Sequence, residues 1–383
     1  MAGVKEAPAR REEDAGPAPD ATRLLRRILE AARHARRPLV HLQHNPDPDA
    51  IASGVAMQFL LKRVLGLETV LTHTGQVGRA ENRAMLRWLG IHIIPAFKID
   101  YHAYDFLMVV DSHPGSGTCR LPPGVVPNVV VDHHPAPDMP EGVDVAFLST
   151  DFGSTSTQVG WLLVENGIHP DGRVATALTY GIKTDTMDLS RTQGPHDERV
   201  YREIYTLADK RLLGRIQRAR LSQEYFQVLE RGLRRARVTD FTVTTYLGRV
   251  DHADAVAEIS DILFRLEGTK WAMVAGHDGP LMYLSIRAVR AEGVNAGKVA
   301  EAISGGFGGG HETFAGAQVP IPADGTTPEE FFEVLWTRLM ETVHAKKSLT
   351  RPLTVPPDAR TPEDEHPRKR RHRSGEPNGP GAS

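Results

Sequence analysis

The sequence is short of several things that usually announce a function. Its 383 residues hold a single cysteine, Cys119. That excludes a disulfide framework and a cysteine-built zinc site, and it fits a reducing, cytoplasmic setting. Charge of either sign nearly cancels, leaving a formal net charge of -2, so bulk electrostatics announce neither nucleic acid nor membrane. No apolar run approaches the roughly 20 residues of a membrane-spanning helix, and the N-terminus lacks the apolar core of a signal peptide. Internal repeats are absent. Aromatic residues are scarce at 6%, against 35 glycines and 27 prolines, so turns are plentiful. What is left is a soluble globular chain, long enough for two domains with sizeable cores.

Residues 1–22 are rich in Ala, Pro, Arg, Glu and Asp without apolar periodicity and read as disordered. Thr22 reads as the N-cap of a first helix carrying Leu24, Leu25, Ile28, Leu29 and Ala32. Across 23–194, short apolar runs alternate with helical stretches. The runs are Pro38 to Leu42, Thr69 to Thr72, Phe106 to Val110 and Val129 to Val131. Continuous Val/Leu runs between helices suit a parallel sheet buried on both faces. Residues 195–237 are charged and helical in pattern, a linker. Residues 238–345 alternate strand and helix again, with a glycine-dense segment from Gly305 to Gly310. The tail, 346–383, is rich in Pro, Arg, Glu and Gly, carries the basic run Arg368 to Arg373, and reads as disordered. The fold class expected is therefore α/β: a parallel-sheet N-terminal domain joined by a helical linker to a smaller α/β C-terminal domain.

One stretch organises the chemistry. His44-Asn45-Pro46-Asp47-Pro48-Asp49-Ala50 follows the first strand and runs into an apolar helical pattern near Ile51. That is the carboxyl end of a strand, where open α/β sheets place ligands. Two prolines stiffen the turn and hold Asp47 and Asp49 at fixed spacing, close enough that their charges repel. An Asx-turn with a helix-capping Asp would explain this stretch taken alone. Further acidic groups sit at comparable positions, however. Asp111 follows the strand ending at Val110, and Asp132-His133-His134 follows the strand ending at Val131. Asp185 closes an apolar helix beginning near Val174. Strand ends of a parallel sheet share one edge, so these groups can converge there. Oxygen ligands with some imidazole suit Mn²⁺ or Mg²⁺, and such a set points to a two-metal site for phosphoryl chemistry. In the second domain, Gly308, Gly309 and Gly310 allow close backbone approach to a phosphate and could form an anion nest. His311 and Arg287 could pair with a phosphate there.

Taken together, His44 to Ala50, Asp111-Ser112-His113, Asp132-His133-His134 and Gly181 to Thr186 resemble the four successive motifs of the DHH phosphoesterases. The glycine run ending in His311, with Ser285-Ile286-Arg287 upstream, is similar to the DHH-associated C-terminal domain. The resemblance covers roughly residues 24 to 320. It implies two Mn²⁺ ions per site, with Mg²⁺ or Co²⁺ as substitutes. Asp111 would bridge them, Asp47 and Asp49 would hold one each, and His133 and Asp185 would complete the second. His134 would lie near the substrate phosphate, and Asp132 would orient His133. It further implies hydrolysis of short oligonucleotides or phosphorylated nucleotides, nearest to the nanoRNase and 3′-phosphoadenosine 5′-phosphate phosphatase branch. Alternatives are a cyclic- or linear-dinucleotide phosphodiesterase, or a catalytically weak nucleotide-binding regulator. Inorganic pyrophosphatase is disfavoured by the nucleotide-handling features of the C-terminal domain. Partners expected are a short RNA or DNA or a small nucleotide, with no membrane, and a homodimer is compatible. One position departs from the pattern: the family's first histidine, four residues before the first motif Asp, is here Gln43. His44, Gln43 and His41 are the candidates for that ligand.

Overall fold

A computed structural model describes residues 20–135, 139–251, 253–291 and 293–354. The basic run Arg368 to Arg373 and most of the two segments expected to be disordered lie outside the described residues. The chain divides into two units, with the boundary between Arg220 and Leu221. No helix among the described residues is long and apolar enough to cross a membrane.

The first unit begins with α1 (Ala21–Ala32). Its cap is Asp20, whose carboxylate accepts the Arg23 N–H at 3.0 Å, and not Thr22. The reason is that Ala21 is already buried, so the apolar stripe starts a turn earlier than Leu24 suggested. Then follow β1 (Pro38–Leu42), α2 (Pro48–Leu65), β2 (Val70–His73), α3 (Ala80–Leu89), β3 (Ile94–Pro95), β4 (Phe106–Val110), β5 (Val129–Asp132) and β6 (Val145–Leu148). Four helices close the unit: α4 (Thr155–Glu165), α5 (Gly172–Asp185), α6 (Pro195–Leu207) and α7 (Lys210–Gln217). The strands order as β3-β2-β1-β4-β5-β6, every adjacent pair parallel. Strand order reverses between β1 and β4, which leaves a crevice outside their carboxyl ends.

Strand alternation splits the residues of this sheet between two clusters. Val40, Leu42, Met108 and Val110 join the main core, whereas Leu39 and Leu107 meet Tyr101 in a smaller one. Helix α2 is buried from Pro48 to Met57 and packs against α4 and α5. The approach of α5 is close enough to demand glycine at 181. A Cβ there would lie 2.3 Å from Ser156 Oγ and 2.9 Å from Ala52 Cβ. Helices α6 and α7 belong to this same core through Val200, Ile204, Leu213 and Ile216. Apolar stripes of that kind bury themselves rather than span a gap.

The second unit comprises α8 (Gln223–Arg235), β7 (Arg237–Thr239), β8 (Thr242–Arg249), α9 (Asp254–Leu263), β9 (Trp271–Asp278), β10 (Leu281–Ala288), α10 (Ala296–Ser304), β11 (Gly308–Gly310), β12 (Phe314–Pro320), α11 (Pro328–Thr342) and β13 (Thr350–Pro352). Its sheet runs β11-β12-β10-β9-β8-β7-β13, antiparallel except for β8 with β9. Met273 and Ala275 share a core with Ala300 of α10 and Leu335 of α11, while Ala272 and Val274 share one with Leu233 of α8 and Ile259 of α9. Both faces of this sheet are therefore covered by helices. The α/β character expected for each half holds.

Candidate metal centre

Asp47 and Asp49 leave β1 on a turn that does two jobs. Asp47 caps α2, its Oδ1 accepting the Ala50 N–H at 3.0 Å, with Pro48 at the first helical position. The capping reading of this stretch is thus correct, and it fixes the direction of Asp49 one residue into the helix. Asp49 is buried, and its two oxygens accept the backbone N–H groups of Thr155 at 2.8 Å and Ser156 at 2.7 Å. These are the first two helical residues of α4, so the carboxylate is held by a helix N-terminus. Asp111, at the end of β4, sits at φ +56° in the left-handed region, strained for a residue with a Cβ. Its Oδ1 accepts from Thr155 Oγ1 at 2.9 Å and its Oδ2 from Gln43 Nε2 at 3.0 Å.

Past β5, the buried Asp132 carboxylate holds two imidazoles. Its Oδ2 lies 2.6 Å from His113 Nδ1 and its Oδ1 lies 2.8 Å from His134 Nδ1. The residue expected to orient His133 therefore orients its neighbour instead, because the chain turns after Asp132 and brings His134 back over its own carboxylate. The His133 ring lies beside that of His134, centroids 4.2 Å apart, with its Nε2 toward the other carboxylates. Its Nε2 lies 3.4 Å from Asp185 Oδ2, 3.7 Å from Asp111 Oδ1 and 4.0 Å from Asp49 Oδ2. Asp185 is the last residue of α5, beside Arg191, whose guanidinium donates to the Asp185 carbonyl at 2.6 Å.

Charge in this cluster is strongly one-signed. Burial pushes the carboxyls of Asp111 and Asp185 well above the usual range, and the Asp49 and Asp47 charges push them further. Asp47 is raised by burial and then by Asp49; Asp49 is raised by burial against the pull of its Ser156 and Thr155 hydrogen bonds. Burial would raise Asp132 too, but the hydrogen bonds from His134 and His113 outweigh it and hold that carboxyl low. His133 is pushed down to about 3 by burial and by His134, so it is a neutral imidazole at neutral pH. His134 goes the other way: burial opposes its charge, but the Asp132 bond and charge prevail and raise it.

This donor set fits a hard divalent cation. Asp49, His133 and Asp185 each offer an atom within 4.8 Å of the others, as do Asp111, His133 and His134. Asp185 Oδ2 is buried and has no hydrogen-bond donor, so a ligand atom is available in the first of these groupings, and His133 is common to both. Carboxylates with a neutral imidazole match Mn²⁺ or Mg²⁺.

Of the residues expected from sequence, the structure brings Asp47, Asp49, Asp111, Asp132, His133, His134 and Asp185 together. It does not bring His44. That ring bonds Thr74 Oγ1 at 3.0 Å through Nδ1, on the loop after β2. Three contributors went unread: His113, Thr155 and Ser156. His113 had a signal, since it stands two residues after Asp111 in a strand-end motif. Thr155 and Ser156 had none, because they act through backbone position and a hydroxyl on a helix 44 residues beyond Asp111.

In the second unit Arg287 is held by Asp261, with Nε 2.5 Å from Oδ1, and by Ser285 Oγ at 2.8 Å. Gly308 to Gly310 form β11, paired with β12. Successive N–H groups on a strand point in alternate directions, so this segment is a ladder and not the converging nest expected. His311 packs its ring against Phe314, centroids 4.5 Å apart.

Residues 240–338 match the DHHA1 domain family. An uncharacterised protein of Methanocaldococcus jannaschii is 31% identical over 300 residues, covering 77% of this chain and 60% of that protein. A probable manganese-dependent inorganic pyrophosphatase of Clostridium acetobutylicum is 26% identical over 166 residues, 43% of this chain and 53% of that protein. The chain thus spans little more than half the length of these relatives. Among solved structures, an exopolyphosphatase-related protein from Bacteroides fragilis superposes with a TM-score of 0.65 at 16% identity, over 84% of this chain and 96% of that one. That likeness establishes the fold.

Proposed function

We propose that the chain is a metal-dependent phosphoesterase of the DHH type with a DHHA1 C-terminal domain, a reading supported by the DHHA1 match over residues 240–338 and by the likeness of fold. Its substrates on this reading are short oligonucleotides or phosphorylated nucleotides, in a cytoplasmic setting. The observation that carries the proposal is the convergence of Asp47, Asp49, Asp111 and Asp185 on the neutral imidazole of His133 at the carboxyl edge of a parallel sheet. Four buried carboxyls, each raised above its ordinary value, are costly in one crevice without cations to neutralise them.

Asp47, Asp49, Asp111, His133 and Asp185 would hold the ions. When bound, a pair of divalent cations supplies an activated water and neutralises charge on the phosphoryl oxygens. The chain's own groups do the rest. Asp49 is oriented by the N–H groups of Thr155 and Ser156, so its oxygens need no reorganisation. Asp132 fixes the tautomer and direction of His134. His134 is part-exposed, its charged form favoured by Asp132, and its ring is proposed to donate a hydrogen bond to a phosphate oxygen of the substrate. Arg287 and His311 of the second unit are proposed to take a terminal phosphate or base edge.

The test is a panel of short 5′-phosphorylated RNA, linear and cyclic dinucleotides, 3′-phosphoadenosine 5′-phosphate and pyrophosphate, assayed with Mn²⁺. The reading expects release of mononucleotide or phosphate from a nucleotide substrate, lost in Asp111→Ala and His133→Ala. A second reading, a nucleotide-binding regulator of weak activity, is favoured by Gln43 where the family pattern has histidine. Binding of these compounds without turnover would select it.

A further inference from the structure

The head of the β1 turn offers three side chains that could complete the centre on the Asp47 side: His41, Gln43 and His44. The fold commits two of them elsewhere. His44 is tied at both its backbone and its ring, its N–H donating to the Thr118 carbonyl at 2.8 Å and its Nδ1 bonded to Thr74 Oγ1. The following residue reinforces this. The Asn45 N–H donates to the Thr74 carbonyl at 3.0 Å, and Asn45 Oδ1 accepts the Gln76 N–H at 2.8 Å. The fit is close: a Cβ on Gly75 would stand 2.7 Å from the His44 ring, and Gly75 is at φ +72°. His41 is fully buried, its Nδ1 sharing a 2.7 Å hydrogen bond with the Tyr101 hydroxyl. Its Nε2 has no hydrogen-bond partner, but its electrostatic neighbour is His73 and not the carboxylates of the centre.

Gln43 alone reaches them, 3.0 Å from Asp111 Oδ2. The other oxygen of the same carboxylate faces Thr155 and His133. Asp111 thus has an imidazole near Oδ1 and an amide at Oδ2. The two ends of a Gln amide differ by a half-turn, so this position can present a neutral carbonyl oxygen.

We infer that Gln43 is the neutral ligand to the ion on the Oδ2 side of Asp111, and that this ion is held more weakly than the one at Asp49, His133 and Asp185. An amide oxygen is a weaker donor than imidazole to Mn²⁺ and prefers it less over Mg²⁺. The centre then fills in two separable steps, and the second step sets the metal concentration at which the protein becomes competent. This rests on the metal-dependent reading above and specifies which half of the centre limits it.

The experiment is calorimetric titration of the chelator-stripped full chain with Mn²⁺ alone, backed by Mn²⁺ electron paramagnetic resonance. Wild type should give a tight step and a weak one. Gln43→His should tighten the weak step by about tenfold, a change of the size that single alterations around a metal produce. Gln43→Ala should weaken the same step, and His44→Ala and His41→Ala should leave both steps as they are. Circular dichroism confirms that each variant is folded, and the gain of affinity in Gln43→His cannot come from misfolding. Two equal steps insensitive to Gln43, or loss of a step in His44→Ala or His41→Ala, overturn the inference while leaving the hydrolase reading intact. No Mn²⁺ binding by wild type overturns both.

Discussion

Asp111 in the first unit and Arg287 in the second both stand near the end of a sheet strand, and their surroundings are opposite. Asp111 is 1% exposed, strained at φ +56°, and pressed by the charges of Asp49, Asp47, Asp132 and Asp185. Arg287 keeps part of its side chain in solvent and already has a carboxylate, a hydroxyl and a carbonyl around its guanidinium. One group is left in an arrangement that destabilises the fold; the other is satisfied where it stands. Strain and crowding of like charge mark a place where function has been kept at the expense of stability. A satisfied, mostly buried arginine marks, at most, a place that a substrate can borrow.

The contrast is sharpest in Asp111→Asn. Turnover in the substrate panel should fall to background. In chelator, however, the variant should melt higher than wild type, because the substitution removes the charge that burial and four neighbours oppose. A carboxyl raised in the folded state binds its proton more tightly there than in the unfolded chain. Stability therefore falls as pH climbs from the ordinary Asp value, near 4, through the raised one, at about 1.4 kcal/mol per unit of separation. His133, held down to about 3, acts in the opposite sense, its contribution fading as pH drops below about 6.5. It is common to both proteins and cancels in the difference. The gap in melting temperature between Asp111→Asn and wild type should therefore be small at pH 4 and widen toward pH 8. A gap that is constant with pH would break the comparison.

His113→Ala tests the next shell. Losing the imidazole that steadies Asp132 should lower turnover by about 10–100-fold. It should also lower stability by about 1–3 kcal/mol, since a buried carboxylate loses a donor. Thermal melts with and without Mn²⁺ separate the two effects. Arg287→Ala should do least. KM for a nucleotide substrate should rise about tenfold, near 1.4 kcal/mol, with kcat and Mn²⁺ affinity unchanged. A collapse in kcat would move Arg287 into the same class as Asp111.

How much of this could be read beforehand follows the same division. Strands of continuous Val and Leu, and the acidic residues at their ends, declare themselves locally, and β1, β4 and β5 stood where their runs placed them. The Asp47 turn was also readable, because prolines and a cap have local signatures. What escaped was everything decided by a distant contact. Thr155 and Ser156 reach Asp49 only because α4 begins beside β1. His44 misses the centre because the loop after β2 captures it, and nothing in the turn itself says so. Asp132 serves His134 in place of His133 because of how the chain turns after β5. The glycine run was recognised, but only the pairing of β11 with β12 determined that its N–H groups would form a ladder.

The central claim is that the crowded carboxylates exist to hold divalent cations for cleavage of a nucleotide phosphoester. Its most direct test is hydrolysis of a 5′-phosphorylated dinucleotide by the purified full chain across a Mn²⁺ titration, with Asp111→Asn alongside. The account predicts mononucleotide release that requires Mn²⁺ and disappears in the variant. Tight binding of the dinucleotide with no release at any Mn²⁺ concentration, or release that persists in Asp111→Asn, would contradict it.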